Sequence, residues 1–179
     1  LTGDSGSNQT IVDGNTLDIA GGNDISTVVG DTDTVTINLS ASRNRTFTKT
    51  GNTDGTYSGD VVYFGGTTSM TVGTIYHYKS DGTWEVANAN AVATCDGLLG
   101  VALGAASDTN GMLLRGMVTL DHDPGAVGDV LFLSAASNGD ATATAPSGSS
   151  DIVRVIGYCL DASNGQIWFD PDKTYVEVA

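Results

Sequence analysis

Apolar and polar positions alternate strictly at Thr16-Leu17-Asp18-Ile19 and at Thr34-Val35-Thr36-Ile37-Asn38-Leu39, with Asp-Gly, Gly-Gly and Gly-Asp turn signals around both. Neighbouring side chains of a strand point to opposite faces, so the pattern predicts strands with Leu17 and Ile19 on one face, and likewise Val35, Ile37 and Leu39. Thr, Asp and Asn take the other face. Each strand then offers one thin apolar row. Ordering a backbone costs ~1 to 2 kcal/mol per residue, which a single copy of so narrow a row does not offset. Copies pressing their rows together can offset it. Residues 1–40 are therefore expected to form a thin β-shaft in an elongated oligomer, with Leu17, Ile19, Val35, Ile37 and Leu39 as its association core.

Beyond this shaft the pattern changes twice. Residues 41–59 read as a junction, in which Arg43, Arg45, Phe47 and Lys49 precede the turn-rich Gly51-Asn52-Thr53-Asp54-Gly55. Residues 60–179 read as a compact β-domain. Its strands are expected near 61–64, 74–79, 83–86, 97–104, 112–120, 129–133, 141–145, 152–160, 166–169 and 174–178, and Ser80-Asp81-Gly82 makes a hairpin turn. Residues 87–94 fit a short helix or an extended connector. Several of these strands are apolar on both sides, the pattern of a β-sandwich core or a small closed barrel. Glycines at 97, 100, 104 and 116 mark bends, bulges or close backbone approach. The fold class is all-β.

Composition narrows the function. The 179 residues include 24 Gly and 3 Pro, which suits tight turns. The formal net charge of −14 repels phosphate and argues against nucleic-acid binding. No apolar run approaches the ~20 residues that span a bilayer, and the first residues have neither the basic nor the apolar region of a secretory signal. Membrane insertion is not expected. Cys95 and Cys159 lie far apart in apolar strand contexts and are expected to be buried free thiols.

Candidate chemistry is sparse. No Gly-x-Ser-x-Gly, His-x-x-x-His or Cys-x-x-Cys occurs, so no catalytic residue, cofactor or metal site is assigned and the chain is read as non-enzymatic. Asp121-His122-Asp123 has the residue types of a divalent-cation site, yet the Pro124-Gly125 that follows favours a solvated turn. Asp31-Thr32-Asp33 lacks the glycine and distal glutamate of a calcium loop. Arg43, Arg45 and Lys49 share a face with Phe47 if extended, a cationic strip for contact with anionic glycan or lipopolysaccharide or, preferably, for pairing with shaft aspartates of a neighbouring subunit. Tyr57, Tyr63, Tyr76, Tyr78 and Trp84 are read as half-buried core or interface anchors.

The N-terminal Gly-Asp-Ser-Gly-Ser, Ile-Val-Asp-Gly-Asn-Thr-Leu-Asp-Ile-Ala-Gly-Gly and Thr-Val-Thr-Ile-Asn-Leu runs resemble a module of tail-fibre and other virion proteins of tailed bacteriophages. The C-terminal Gly-Leu-x-Gly-Val-Ala-x-Gly, Gly-Asp-x-Leu-Phe-Leu-Ser, Val-Arg-Val-Ile-Gly-Tyr and Trp-Phe-Asp-Pro-Asp-Lys-Thr-Tyr-Val-Glu runs are similar to phage structural domains. The resemblance implies a virion component, on tail or capsid, and a homotrimer. Tail fibre or adhesin is the first expectation, with other virion proteins and a host surface glycan or protein receptor as partners. A capsid fibre or decoration protein is the second, and a bacterial surface adhesin the third. Fibre proteins of this kind open with a virion-docking domain, whereas this chain opens inside the shaft motif, as a fragment or processed product would. Receptor contact is expected on the loops 105–111 and 134–140, which end a rigid β-scaffold.

Overall fold

The computed structural model describes residues 10, 12–14, 25–29, 35–39 and 46–179. The chain divides into two compact units, Leu1–Thr46 and Phe47–Ala179. In the first, β1 (Ile25–Val29) and β2 (Val35–Leu39) form an antiparallel hairpin. Its register sets Ile25 opposite Leu39, Thr27 opposite Ile37 and Val29 opposite Val35. Directly opposed residues of an antiparallel pair share a face, so one face of this ribbon carries nearly all its apolar positions. The alternation at 34–39 marks β2; Ile-Ser-Thr-Val-Val of β1 does not alternate and carries no such mark. Leu17 and Ile19 lie outside the described residues, as do Arg43, Arg45 and Asp31-Thr32-Asp33.

The second unit is mostly β, built on a curled antiparallel half-barrel. Its strands are β3 (Tyr57–Val62), β4 (Ile75–Tyr78), β5 (Trp84–Val86), β6 (Leu99–Ala102), β7 (Met112–Thr119), β8 (Val130–Leu133), β9 (Ala141–Thr142), β10 (Ile152–Val153), β11 (Val155–Asp161), β12 (Gln166–Phe169) and β13 (Val176–Glu177). Nine form one sheet in the order β5-β4-β6-β7-β12-β11-β8-β9, with β3 also on β7, while β10 and β13 pair separately. Two short helical turns, Val92–Thr94 and Ser107–Asn110, complete it. The segment 87–94 is thus neither a regular helix nor extended but a hydrogen-bonded loop, with a turn at residues 89–90, the 3-10 turn at Val92–Thr94 and the Asn88 N–H donating to the Thr94 carbonyl at 3.0 Å. Among the described residues no helix is long and apolar enough to cross a membrane.

The sheet pivots on β7. Strand β3 pairs along it from Met112 to Val118, whereas β6 pairs at Met112 and Leu113 and β12 at Gly116–Thr119. A strand has two flanks, so β6 and β12 share the flank opposite β3. The sheet splays there. Gly59 and Gly116 oppose each other at the splay; a Cβ on Gly116, whose φ is +138°, would lie 2.4 Å from the Ser58 carbonyl oxygen.

Alternation along these strands sorts side chains onto two faces. Ile75, Val101, Leu113, Val118, Leu131, Ile156, Ile167 and Phe169 form the main core on the inner face. On the outer face, Met70, Tyr76, Trp84, Ala102 and Met112 form a second cluster, with Phe64 and Tyr78 against it. The rings of Phe64, Tyr78 and Trp84 lie 5.0–5.6 Å apart, and Trp84 Nε1 donates to the Phe64 carbonyl at 2.8 Å. Residues 64–70 therefore cover the outer face at the β4–β7 end.

The second unit also takes in much of the expected junction. Gln166, buried, donates through Nε2 to the carbonyls of Thr50 (2.9 Å) and Gly51 (3.0 Å), and Phe47 makes an edge-on contact with Trp168. A Gly/Asn/Asp loop satisfies its carbonyls wherever a buried donor reaches them, which the local sequence does not reveal.

Gly116→Ala is expected to destabilise the second unit by about 2–3 kcal/mol, the cost of overpacking a closed backbone approach. Gly51→Ala, with nothing within 4 Å of the new Cβ, should change little. Chemical denaturation monitored by tryptophan fluorescence compares the two.

Candidate functional site

Asp121 and His122 follow β7, where the chain leaves the sheet and passes beside β9. His122 Nδ1 lies 2.8 Å from Asp121 Oδ1 and 3.7 Å from Asp140 Oδ1. The Ala141 N–H donates to His122 Nε2 at 2.9 Å, and Thr74 Oγ1 donates to Asp121 Oδ2 at 2.8 Å. Asp140, not Asp123, completes the group, because β9 brings it back beside the turn. The three could surround a cation by proximity alone. With the ring neutral, however, Nε2 accepts from the backbone and Nδ1–H donates to Asp121, so no imidazole lone pair is free for a metal. The segment is a bend with Asp121 and Asp123 exposed, as the solvated-turn reading expects, and its hydrogen bonds also make it a clasp tying the start of β4, the turn after β7 and β9.

Burial pushes the His122 pKa down, but the Asp121 hydrogen bond and the charges of Asp140 and Asp121 outweigh it and leave the pKa raised. Once protonated, the ring turns Nε2–H to the Ala141 carbonyl, 3.2 Å away. Burial alone would raise the Asp121 pKa; hydrogen bonds from His122 and Thr74 and the His122 charge lower it instead.

His77 is the other histidine. It sits on β4 at 1% exposure, and neither ring nitrogen has a hydrogen-bond partner. Glu85 Oε2 is 3.6 Å from Nε2 and Asp96 Oδ1 3.9 Å from Nδ1, beyond hydrogen-bond reach. Cys95 and Cys159 are buried and free. Burial pushes the Cys95 thiol up to about 11, and burial likewise raises Cys159, so neither is a ready thiolate at neutral pH.

Of the expected cationic strip, Lys49 is described. It pairs with Asp161 of its own unit at 3.0 Å, while Phe47 rests on Trp168. Tyr76, Tyr78 and Trp84 belong to the outer cluster, whereas Tyr57 and Tyr63 are exposed. The two expected recognition loops are tightly bonded turns. Ser107 and Asp108 accept from the Thr67 and Gly66 N–H groups, and Ser134 Oγ caps Ala136 and Ser137.

A feature that the sequence reading passes over lies on the outer face at the other end of the sheet. Cross-strand register aligns Val130, Tyr158, Trp168 and Met117 in one transverse row across β8, β11, β12 and β7. Tyr158 is 48% exposed, whereas Trp168 is half-buried, with Phe47 edge-on against its ring. The Arg115 guanidinium lies over the Trp168 ring at 5.4 Å and pairs with Asp170 at 3.2 Å. Two adjoining clefts open here. One, of about 740 Å³, is lined by Tyr158, Trp168, Asp172 and Lys173; the other, of about 430 Å³, by Leu98, Leu114, Arg115, Arg154, Lys173 and Tyr175, and both share Asp170 and Pro171.

Arg154, between β10 and β11, is the buried charge of the second cleft. It is 4% exposed, and its guanidinium donates to the backbone carbonyls of Asp172 (2.8 Å), Gly97 (2.8 Å) and Cys95. It thereby fastens the 170–173 segment to the loop before β6. Burial lowers its pKa from the usual arginine value. Residues 152–160 are apolar at most positions and carry no alternation that would turn Tyr158 outward; the pairing of β11 with β12 sets it beside Trp168.

Comparison with protein-family models, with curated proteins and with solved structures finds no match.

Two outcomes follow from the histidines. The raised His122 pKa contributes stability that is full below the unfolded value near 6.5 and is lost as pH rises through the folded pKa. Wild type should therefore exceed His122→Gln most at pH 5.5 and less at pH 8.5 in paired thermal melts. His77→Leu should leave stability unchanged or raise it by about 1 kcal/mol, since it removes buried polar atoms that have no partner. A loss above about 2 kcal/mol in urea titration would show instead that Glu85 and Asp96 hold the ring in place.

Proposed function

We propose that the chain is a non-enzymatic fibre component of a phage virion: a homotrimer whose N-terminal unit associates as a β-shaft and whose C-terminal unit contributes to attachment at the host surface. The observation that carries this reading is Ile37. It stands on the apolar face of the β1–β2 hairpin and is 61% exposed in the single chain, where an isolated two-stranded ribbon is marginal at best. Further copies supply what that face lacks. The resemblance of the Gly/Thr/Asp runs to virion modules favours three copies. The net charge of −14 supports a projecting, soluble surface and argues against contact with the packaged genome. The hydrogen-bonded state of Asp121, His122 and Thr74, which leaves no imidazole poised beside a nucleophile in that cluster, supports a structural over a catalytic use.

Native mass measurement should give three chains per particle, and a stable monomer at micromolar concentration would overturn the reading. Ile37→Asp should abolish the trimer at micromolar concentration, because it buries an unpaired carboxylate in each subunit. The second unit should keep its tryptophan fluorescence. The purified trimer is expected to block phage adsorption to host cells. Binding to empty capsids with no effect on adsorption would instead make it a head fibre or decoration protein.

A further inference from the structure

The chain has seven basic residues, and three of them, Arg115, Arg154 and Lys173, line one cleft of the second unit. In a chain of net charge −14 this is the marked exception. Asp170 is the one carboxylate in that lining, and it is already paired with Arg115. Arg154 adds a second, independent observation. Its three hydrogen bonds all go to neutral carbonyls, and among the described residues no carboxylate pairs with its guanidinium. A guanidinium has five N–H donors, so two stay uncommitted on a charge that is almost wholly buried. Asp96 and Asp172 act on it only from beyond ion-pair distance, so a buried arginine with free donors at the wall of an open cleft is complementary to an anion.

The walls say what carries the anion. Leu98, Leu114, Pro171 and Tyr175 are apolar or amphipathic, unsuited to a bare inorganic ion. Past the shared Asp170 and Pro171 the surface continues into the second cleft, where the exposed Tyr158 ring stands beside the half-buried Trp168. Aromatic faces meet the C–H faces of sugar rings, and cations meet carboxylates. A polymer charged at every repeat would be repelled by the rest of the chain.

We infer that this composite cleft binds an acidic oligosaccharide, with a sugar carboxylate at Arg154, Arg115 and Lys173 and an adjoining uncharged ring on Tyr158 and Trp168. The inference rests on the attachment reading above and names the class of surface it meets. Arg115 belongs to both halves: it stacks on Trp168 and faces the carboxylate position. Lys173 is exposed and adds long-range attraction, which salt weakens.

The test is titration calorimetry of the full chain with 3′-sialyllactose and 6′-sialyllactose, each a single acidic ring beside uncharged ones, with lactose as the neutral counterpart. At least one acidic sugar should bind at least about tenfold more tightly than lactose, equivalent to about 1.4 kcal/mol. Arg115→Gln combined with Lys173→Gln should remove that preference while circular dichroism stays unchanged. Tyr158→Ser, at an exposed position, should weaken acidic and neutral sugars alike. Equal binding of lactose and both acidic sugars, no binding of any of them, or full binding by the double variant would each overturn the inference. So would an acidic peptide that displaces the sugar at equal affinity, since the cleft would then be a peptide site. Adsorption assays separate the two readings. If wild type and the double variant block adsorption equally, this cleft is not the contact and attachment stands. If neither blocks adsorption while the acidic sugar still binds, the attachment reading fails and the cleft stands.

Discussion

The second unit depends on the division of one flank of β7 between two strands. Where β6 leaves and β12 takes over, the sheet must splay and curl, and the Gly59–Gly116 pair lets the backbones come close enough to do so. Everything downstream follows from that curl. It draws Leu113, Val118, Ile156, Ile167 and Phe169 into one inner core and turns the alternate residues outward. The outer face is then covered at one end by residues 64–70 and left with its aromatic row at the other.

Polar groups are handled in two distinct ways in this unit. Most are committed to backbone or to one another, as with Gln166 on the 50–51 carbonyls and His122 between Asp121 and Ala141. Such groups hold segments together and have little capacity left for a ligand, because a lone pair already in a hydrogen bond must be released before it can bind anything else. Arg154 differs: its hydrogen bonds fasten the chain, and among the described residues no carboxylate makes contact with its guanidinium, Asp96 and Asp172 acting on it from further away.

Exposed apolar surface divides similarly. Ile37 and Val28 of the hairpin are both more than half exposed, at 61% and 55%, and belong to a ribbon too thin to bury them alone. Tyr158 and Val130, by contrast, stand on a sheet whose inner face is already packed. The first kind leaves apolar surface in water on a ribbon that has no second layer of its own among the described residues. The second is compatible with a free surface, since removing it from water is not needed for the sheet to fold.

Strand identity was legible in the sequence because period-two alternation, Gly-centred turns and β-branched residues act within a few positions of one another. The β4–β5 hairpin around Ser80-Asp81-Gly82 and the strands at 112–119, 130–133 and 166–169 follow from such local signals. Charge likewise follows from composition alone. What only the tertiary structure decided is which distant residues meet. It set Asp140 rather than Asp123 beside His122, joined Gln166 to the 50–51 loop, and brought Arg115, Arg154 and Lys173 from three places in the chain to one cleft. Local alternation fixes the face to which a side chain points; its neighbour on that face is chosen by strand order and register, which long-range packing of the core determines.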